Sequence, residues 1–502
     1  MADNRILIGK ATELTGIYPK MSNRHGLIAG ATGTGKTVTL QKMAEGFSKI
    51  GVPVFLSDIK GDLSGIAGIG TPKDFITKRL DELKITDFSH QSFPAAFWDI
   101  YGELGTPLRT TITEMGPMIL SQVLGLNDTQ SGVLSVIFRI ADEKNLALLD
   151  IKDLKSILKY ASDNSDQISA EYGMVSKVSI SAIQRELLKL EDQNAGTFFG
   201  EPAIDILDFI QTAPDGKGVI NILSCEKLYH NPGLYSLFML WLISELFENL
   251  PEAGDSDKPK IVFFFDEAHL LFSRCTKEVT EKIEQTVRLI RSKGVGIYFV
   301  TQSPSDIPDE ILGQLGNRVQ HALRAFTPKD LKAVKTAALT FRQNPSFDTA
   351  AVISELGVGE ALVSFLDEKG VPSIVEKVFI IPAESRIGPV EPDRRRAVIN
   401  NSKFHNKYNE TIDRESAYEI LAKSINKTPA PVNTPSNDTR RNSRSEPARS
   451  NSSNRRNTTS ERVVKGVVRD VAKSIGGSIG RSIGGQTGGR IVRGILGNLF
   501  RN

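Results

Sequence analysis

The chain has 502 residues, 40% of them hydrophobic, and a net charge of +3, enough for one large or two to three ordinary domains with a sizeable core. Its two cysteines, Cys225 and Cys275, form no CxxC pair and the six histidines are scattered, which excludes a disulfide framework and speaks against structural zinc. Met1 to Lys10 holds no apolar run behind a basic segment, and no stretch reaches about 18 apolar residues, so a cytoplasmic chain without signal peptide or membrane span is expected.

In chain order, Gly26–Gly30 reads as a short buried strand. The next residues, Gly30-Ala31-Thr32-Gly33-Thr34-Gly35-Lys36-Thr37, match G-x-x-x-x-G-K-[ST] in full, with a strand running in and a helix running out. Glycines let such a loop turn its N–H groups onto phosphates, and the helix N-terminus adds positive potential. Lys36 is expected on the β- and γ-phosphates of ATP and Thr37 on Mg²⁺. Lys36 to Ile50 has Leu40, Met43, Ala44 and Phe47 at helical spacing, and Gly51 closes the helix.

Pro53–Asp58 and Phe93–Asp99 read as the next strands. From about 106 to 191 the pattern is helical, with segments at Leu108–Gly125, Thr129–Asp142, Asp153–Ala161 and Ser176–Leu190, and reads as an insertion. Strands resume at Gly218–Ser224, Lys260–Asp266, Gly296–Gln302 and Val319–Arg324. Runs such as Ile261-Val262-Phe263-Phe264-Phe265 are apolar on both faces, as in a parallel sheet between helices, so the expected class is α/β.

The strand Lys260–Asp266 delivers an acidic pair at its end and fits a Walker B element. Asp266 is expected to hold Mg²⁺ through water, and Glu267 to orient and activate the attacking water. Gly296–Gln302 ends in two small polar groups, where Gln302 is placed to sense the γ-phosphate.

Charge is unevenly spread. From Thr428 onward there are 14 Arg or Lys against 4 Asp or Glu, a net of +10, which leaves −7 on the preceding 427 residues. Residues 428–460 are rich in Ser, Asn, Pro and Arg and read as a disordered linker. Residues 461–502 repeat an Ile–Gly–Gly theme with interspersed Arg and read as a basic amphipathic tail, suited to nucleic acid, an anionic membrane or an acidic partner.

The order GATGTGKT, SDIKGDLSG, FFFDEAHLL and RLIRSKGVGIYFVTQSPSDIP resembles HerA/FtsK-type ATPases, with Asp58, Lys60, Gly61 and Asp62 on the acidic–Lys–Gly element after the second strand. The segment FWDIYGELGTPLRTTITEMGP and the Gly-rich basic end are similar to a bacterial HerA-like helicase subfamily. The resemblance covers roughly residues 5–390 and implies a RecA-like core, with 391–427 as a helical extension. It implies a homohexamer that hydrolyses ATP between subunits and pumps duplex DNA. A neighbour's arginine finger is then implied just before the sensor strand, at Arg291, with Arg288 as the alternative and Arg318 and Arg324 as others that could face an interface. Only 29 residues precede Gly30, too few for the N-terminal β-barrel that docks a nuclease in HerA proteins proper, so that partner is not implied. A type IV secretion-like ATPase that moves protein, or a nucleotide-dependent scaffold, is the other reading.

Overall fold

The computed structural model describes residues 4–254, 256–272 and 277–425. Its strands are β1 (Ile6–Lys10), β2 (Leu14–Ile17), β3 (Gly26–Ala29), β4 (Val54–Asp58), β5 (Ala95–Asp99), β6 (Thr106–Pro107), β7 (Ile220–Ser224), β8 (Ile261–Phe265), β9 (Val295–Thr301), β10 (Asn317–Gln320), β11 (Glu360–Ser364) and β12 (Glu376–Ile380). They form one sheet in the order β2-β1-β12-β11-β10-β3-β9-β8-β4-β7-β5-β6. From β10 to β6 every neighbouring pair is parallel. From β2 to β10 every pair is antiparallel.

The parallel part is apolar on both faces because helices cover both. Ile261, Phe263 and Phe265 of β8 pack into one core with the helices of residues 112–192, while Val262 and Phe264 pack into another with Leu40, Met43, Ala44 and Phe47 of the helix Lys36–Lys49. β9 divides in the same way, with Ile297 and Phe299 on one side and Tyr298 and Val300 on the other. A smaller third core holds Val334, Ala337 and Ile353 under the helices Pro328–Leu339 and Thr349–Glu355.

Residues 106–192 contain β6 and five helices, Ile112–Val123, Asp128–Glu143, Ile151–Asp163, Ser165–Tyr172 and Lys177–Asp192. The first three begin with reciprocal capping boxes at Thr111/Glu114, Asn127/Gln130 and Asp150/Asp153, which satisfy N-terminal amides that a helix leaves open. Three further helices lie at Pro392–Asn400, Lys403–Tyr408 and Ala417–Ile425, and Phe404, Tyr408, Ala417 and Leu421 join the larger core.

One expected strand is shorter than its predicted span. The strand expected over Val319–Arg324 is β10 and ends at Gln320, because the chain then turns to bond the phosphate loop: the Ala31 amide donates to Ala322 O at 2.8 Å. The apolar run Leu237–Ile243 is the middle of a buried helix, Pro232–Asn249, packed in the larger core. Among the described residues no helix is long and apolar enough to cross a membrane. Cys225 is a buried free thiol. Cys275, the linker expected at 428–460 and the tail at 461–502 lie outside the described residues.

Candidate active site

Because β10 through β6 are parallel, their C-terminal ends share one rim, where ligands of open α/β sheets bind. β9 lies between β3 and β8, so the strand ending at Thr301-Gln302 stands between the phosphate loop and the acidic pair.

The loop from Gly30 to Gly35 depends on its glycines. Gly30 has φ +154°, and a Cβ there would stand 2.5 Å from His321 Cβ. Gly35, at φ +114°, is the N-cap of the helix Lys36–Lys49, a conformation that favours glycine. The Thr34 hydroxyl donates to Ala31 O at 2.7 Å, and Gly359 N donates to Thr34 O at 3.1 Å, so the loop is closed on itself and tied to the turn before β11. Lys36 Nζ donates to Gly30 O at 2.6 Å and Ala31 O at 3.1 Å, folded back onto carbonyls of its own loop. Burial lowers its pKa, against the opposing pull of Glu267 and Asp266.

Across the rim, the Asp266 amide donates to the Ser57 hydroxyl of β4 at 3.0 Å, and the Glu267 amide donates to Asp266 Oδ1 at 2.9 Å. Desolvation and the adjoining Glu267 carboxylate push Asp266 up to about 6. Glu267 is buried and has φ +47°, a left-handed conformation that costs a non-glycine residue about 1 kcal/mol or more. Flanking bonds hold it there: Ala268 N donates to Val300 O at 2.9 Å, and Leu270 N to Glu267 O at 2.9 Å. Three side chains converge on its carboxylate. Lys60 Nζ is 3.6 Å from Oε1, Gln302 Nε2 donates to Oε2 at 3.3 Å, and His269 Nδ1 is 3.3 Å from Oε2.

The residues thus brought together are Lys36, Asp266, Glu267, Gln302 and Lys60. The donor types fit a hard cation: a carboxylate and a hydroxyl on a rim open to phosphates are what Mg²⁺ takes, since it keeps waters and rarely needs a closed protein cage. Among the described residues no cluster of three or more His, Cys, Asp or Glu forms such a cage.

Arg291 is not part of this group. It begins the turn Arg291–Lys293 before β9, at the opposite rim from Gln302, across a seven-residue strand of about 23 Å. Arg288 lies one turn earlier, exposed, 4.0 Å from Glu284. Arg318 donates to the carbonyls of Leu315, Thr340 and Leu312 at 2.9–3.0 Å. Arg324 lies beyond β10 and donates to Ser354 O and, at 3.0 Å, to Leu356 O. Both guanidiniums are engaged within their own chain.

Sequence reasoning overlooked His321. Its Nδ1 faces Glu360 O at 2.9 Å, which can only accept, so the proton sits there and Nε2 accepts from the Thr39 hydroxyl at 2.9 Å. Burial drives its pKa down to about 4, with Lys36 pushing the same way, so a neutral imidazole props the phosphate loop. The available signal was a histidine directly after the strand that pairs with β3.

A family model described as helicase HerA-like C-terminal matches residues 3–502. The DNA double-strand break repair helicase HerA of Sulfolobus acidocaldarius is 29% identical over 183 residues, which cover 35% of this chain and 34% of that protein. Its namesake from Sulfurisphaera tokodaii is 23% identical over 367 residues, 71% of this chain and 65% of that protein. The chain therefore spans less than two thirds of the length of either. The bacterial conjugative coupling protein TrwBdeltaN70 superposes with a TM-score of 0.51 at 15% identity, over 78% of this chain and 92% of that one, a likeness of fold.

Proposed function

The chain belongs to the helicase HerA-like C-terminal family, and on that premise we propose that it is an ATP-hydrolysing motor that works as a homohexameric ring and translocates double-stranded DNA. The observation that carries the ATPase reading is the convergence of Lys36, Asp266, Glu267 and Gln302 from adjoining parallel strands on one rim. The DNA reading rests on the HerA relatives named above.

In this reading Lys36 leaves the carbonyls of Gly30 and Ala31 for the β- and γ-phosphates of ATP, and the loop Gly30–Thr37 wraps the phosphate chain with the amides that follow Ala31. Thr37 and, through water, Asp266 hold Mg²⁺, which when bound neutralises phosphate charge. Glu267 orients a water and takes its proton as the water oxygen bonds to the γ-phosphorus and the bond to the ADP oxygen breaks. Gln302, already bonded to Glu267, reads whether the γ-phosphate is present. Arg291 lies too far from its own Lys36 to serve it and is assigned to a neighbour's site, with Arg288 as alternative. Residues 1–390 are the motor with its insertion at about 106–191, 391–427 a helical extension, and 428–502 a linker and basic tail for DNA, anionic lipid or an acidic partner.

The test is ATP turnover of the purified chain with and without duplex DNA, single-stranded DNA and RNA. Stimulation by duplex DNA is expected. Turnover that ignores every nucleic acid but responds to an added protein would replace the DNA reading with a protein-moving one. Mixing Arg291→Ala with Lys36→Ala subunits should recover some activity over either alone, because some interfaces regain both parts. A fully active monomer would refute the ring.

A further inference from the structure

Lys60 has no task in the scheme above, yet its loop is built to present it. The loop leaves β4 at Asp58, a buried carboxylate that accepts the Ser64 amide at 3.1 Å. Three residues later Gly61 adopts φ +78°, a left-handed conformation that favours glycine. The Ser64 hydroxyl closes back on Gly61 O at 2.6 Å and accepts Val390 N at 3.0 Å. Lys60 is the half-exposed residue between these anchors, and its ammonium reaches Glu267 Oε1 at 3.6 Å. Glu267 is turned into the same space by its own left-handed backbone. Gln302 and His269 face the other oxygen, Oε2, and Lys60 faces Oε1.

We propose that Lys60 is a positioning residue for hydrolysis: it holds Oε1 of Glu267 from the β4 side while Gln302 holds Oε2 from the β9 side, fixing the carboxylate that faces the attacking water. This rests on the reading of Glu267 as the base. A carboxylate clamped at both oxygens keeps one rotamer, and a base a fraction of an ångström out of place loses rate without losing substrate. Lys60 therefore acts on kcat through Glu267, not on ATP binding through the phosphates.

The experiment compares Lys60→Ala, Lys60→Arg, Glu267→Gln and the Lys60→Ala/Glu267→Gln double variant in the full chain. It measures kcat and KM for ATP, and the Kd of a non-hydrolysable ATP analogue. Lys60→Ala should lower kcat about two- to fivefold, the weight of a half-exposed ion pair, and leave Kd within about twofold. Lys60→Arg should restore most of kcat. In the Glu267→Gln background, Lys60→Ala should add no further loss, because the group it positions has gone. An unchanged kcat in Lys60→Ala would overturn the proposal. So would an equal, roughly tenfold weakening of analogue binding in both backgrounds, which would make Lys60 a phosphate ligand. Failure of the underlying reading looks different: Glu267→Gln itself would then turn over at the wild-type rate.

Discussion

The two ends of the helix Lys36–Lys49 both carry buried charge, and they treat it differently. At the far end Glu45 accepts the amides of Glu384 and Ser385 at 2.9 Å each and the Ser385 hydroxyl at 2.6 Å. Glu384 in turn receives Lys42 at 2.9 Å, Lys49 at 2.6 Å and Gln91 at 2.6 Å. Burial by itself would raise Glu384, but Lys42 and Lys49 hold it below the usual carboxylate range. At the near end Lys36 bonds two backbone carbonyls, Asp266 is pushed up to about 6, and Asp58 to about 7. The far end meets its charge with donors of its own chain, although burial still raises Glu45, and it fastens the helix to the segment after β12. The near end holds carboxylates that burial raises despite nearby cations, and an anionic substrate with a cation would balance it further.

Damage to the two ends should therefore read out in different quantities. The largest effect is at the near end: Lys36→Ala should abolish tight nucleotide binding. Glu267→Gln should bind ATP but lower turnover about 10²-fold or more, with melting temperature close to wild type. Turnover of Glu267→Gln at the wild-type rate would remove the contrast. At the far end Glu45→Ala leaves two amides and a hydroxyl without their acceptor. It should cost about 2–4 kcal/mol of stability, seen as a lower denaturation midpoint. If Glu45→Ala leaves the midpoint unchanged, that network does not fasten the helix.

The near end was legible in the sequence because its chemistry is local. Gly30 to Thr37 is contiguous, and Asp266 and Glu267 sit together at the end of an apolar strand, so spacing alone gathers them. Helical periodicity likewise exposed most of the helices between 106 and 192, although the short Ser165–Tyr172 helix was passed over. The far end was invisible: Glu45 and Ser385 are 340 positions apart, and nothing in either neighbourhood marks the pairing. The same holds for the antiparallel strands β1, β2, β11 and β12, which are four or five residues long and mix polar with apolar positions. His321 was missed because its meaning lies in a contact with Thr39, 282 positions away. Asp58 was singled out by resemblance, but its burial was not visible from the residues.

That burial gives the smallest and most specific prediction. Burial raises Asp58 to about 7, although the amides of Leu63 and Ser64 and the charge of Arg395 act to lower it. In the unfolded chain the group ionises near the ordinary carboxylate value of 3.8. Between the two values the folded protein keeps a proton that the unfolded one has lost, so this residue's contribution to stability falls as pH rises through that window and is flat above about 7. His25 and His321, both lowered to about 4 by burial, lose stability in the opposite direction as pH falls, so the whole-protein profile mixes the terms. The difference between wild type and Asp58→Asn isolates the carboxylate. The amide oxygen of Asn can still accept the Ser64 amide, whereas the ionisation is gone. The stability of Asp58→Asn relative to wild type should therefore improve by about 2 kcal/mol between pH 5 and pH 8, measured by denaturant unfolding without nucleotide. A difference that stays constant over that range would mean the carboxylate is ionised throughout, with Arg395 or solvent compensating it, and the near end would then hold less unbalanced charge than the geometry indicates.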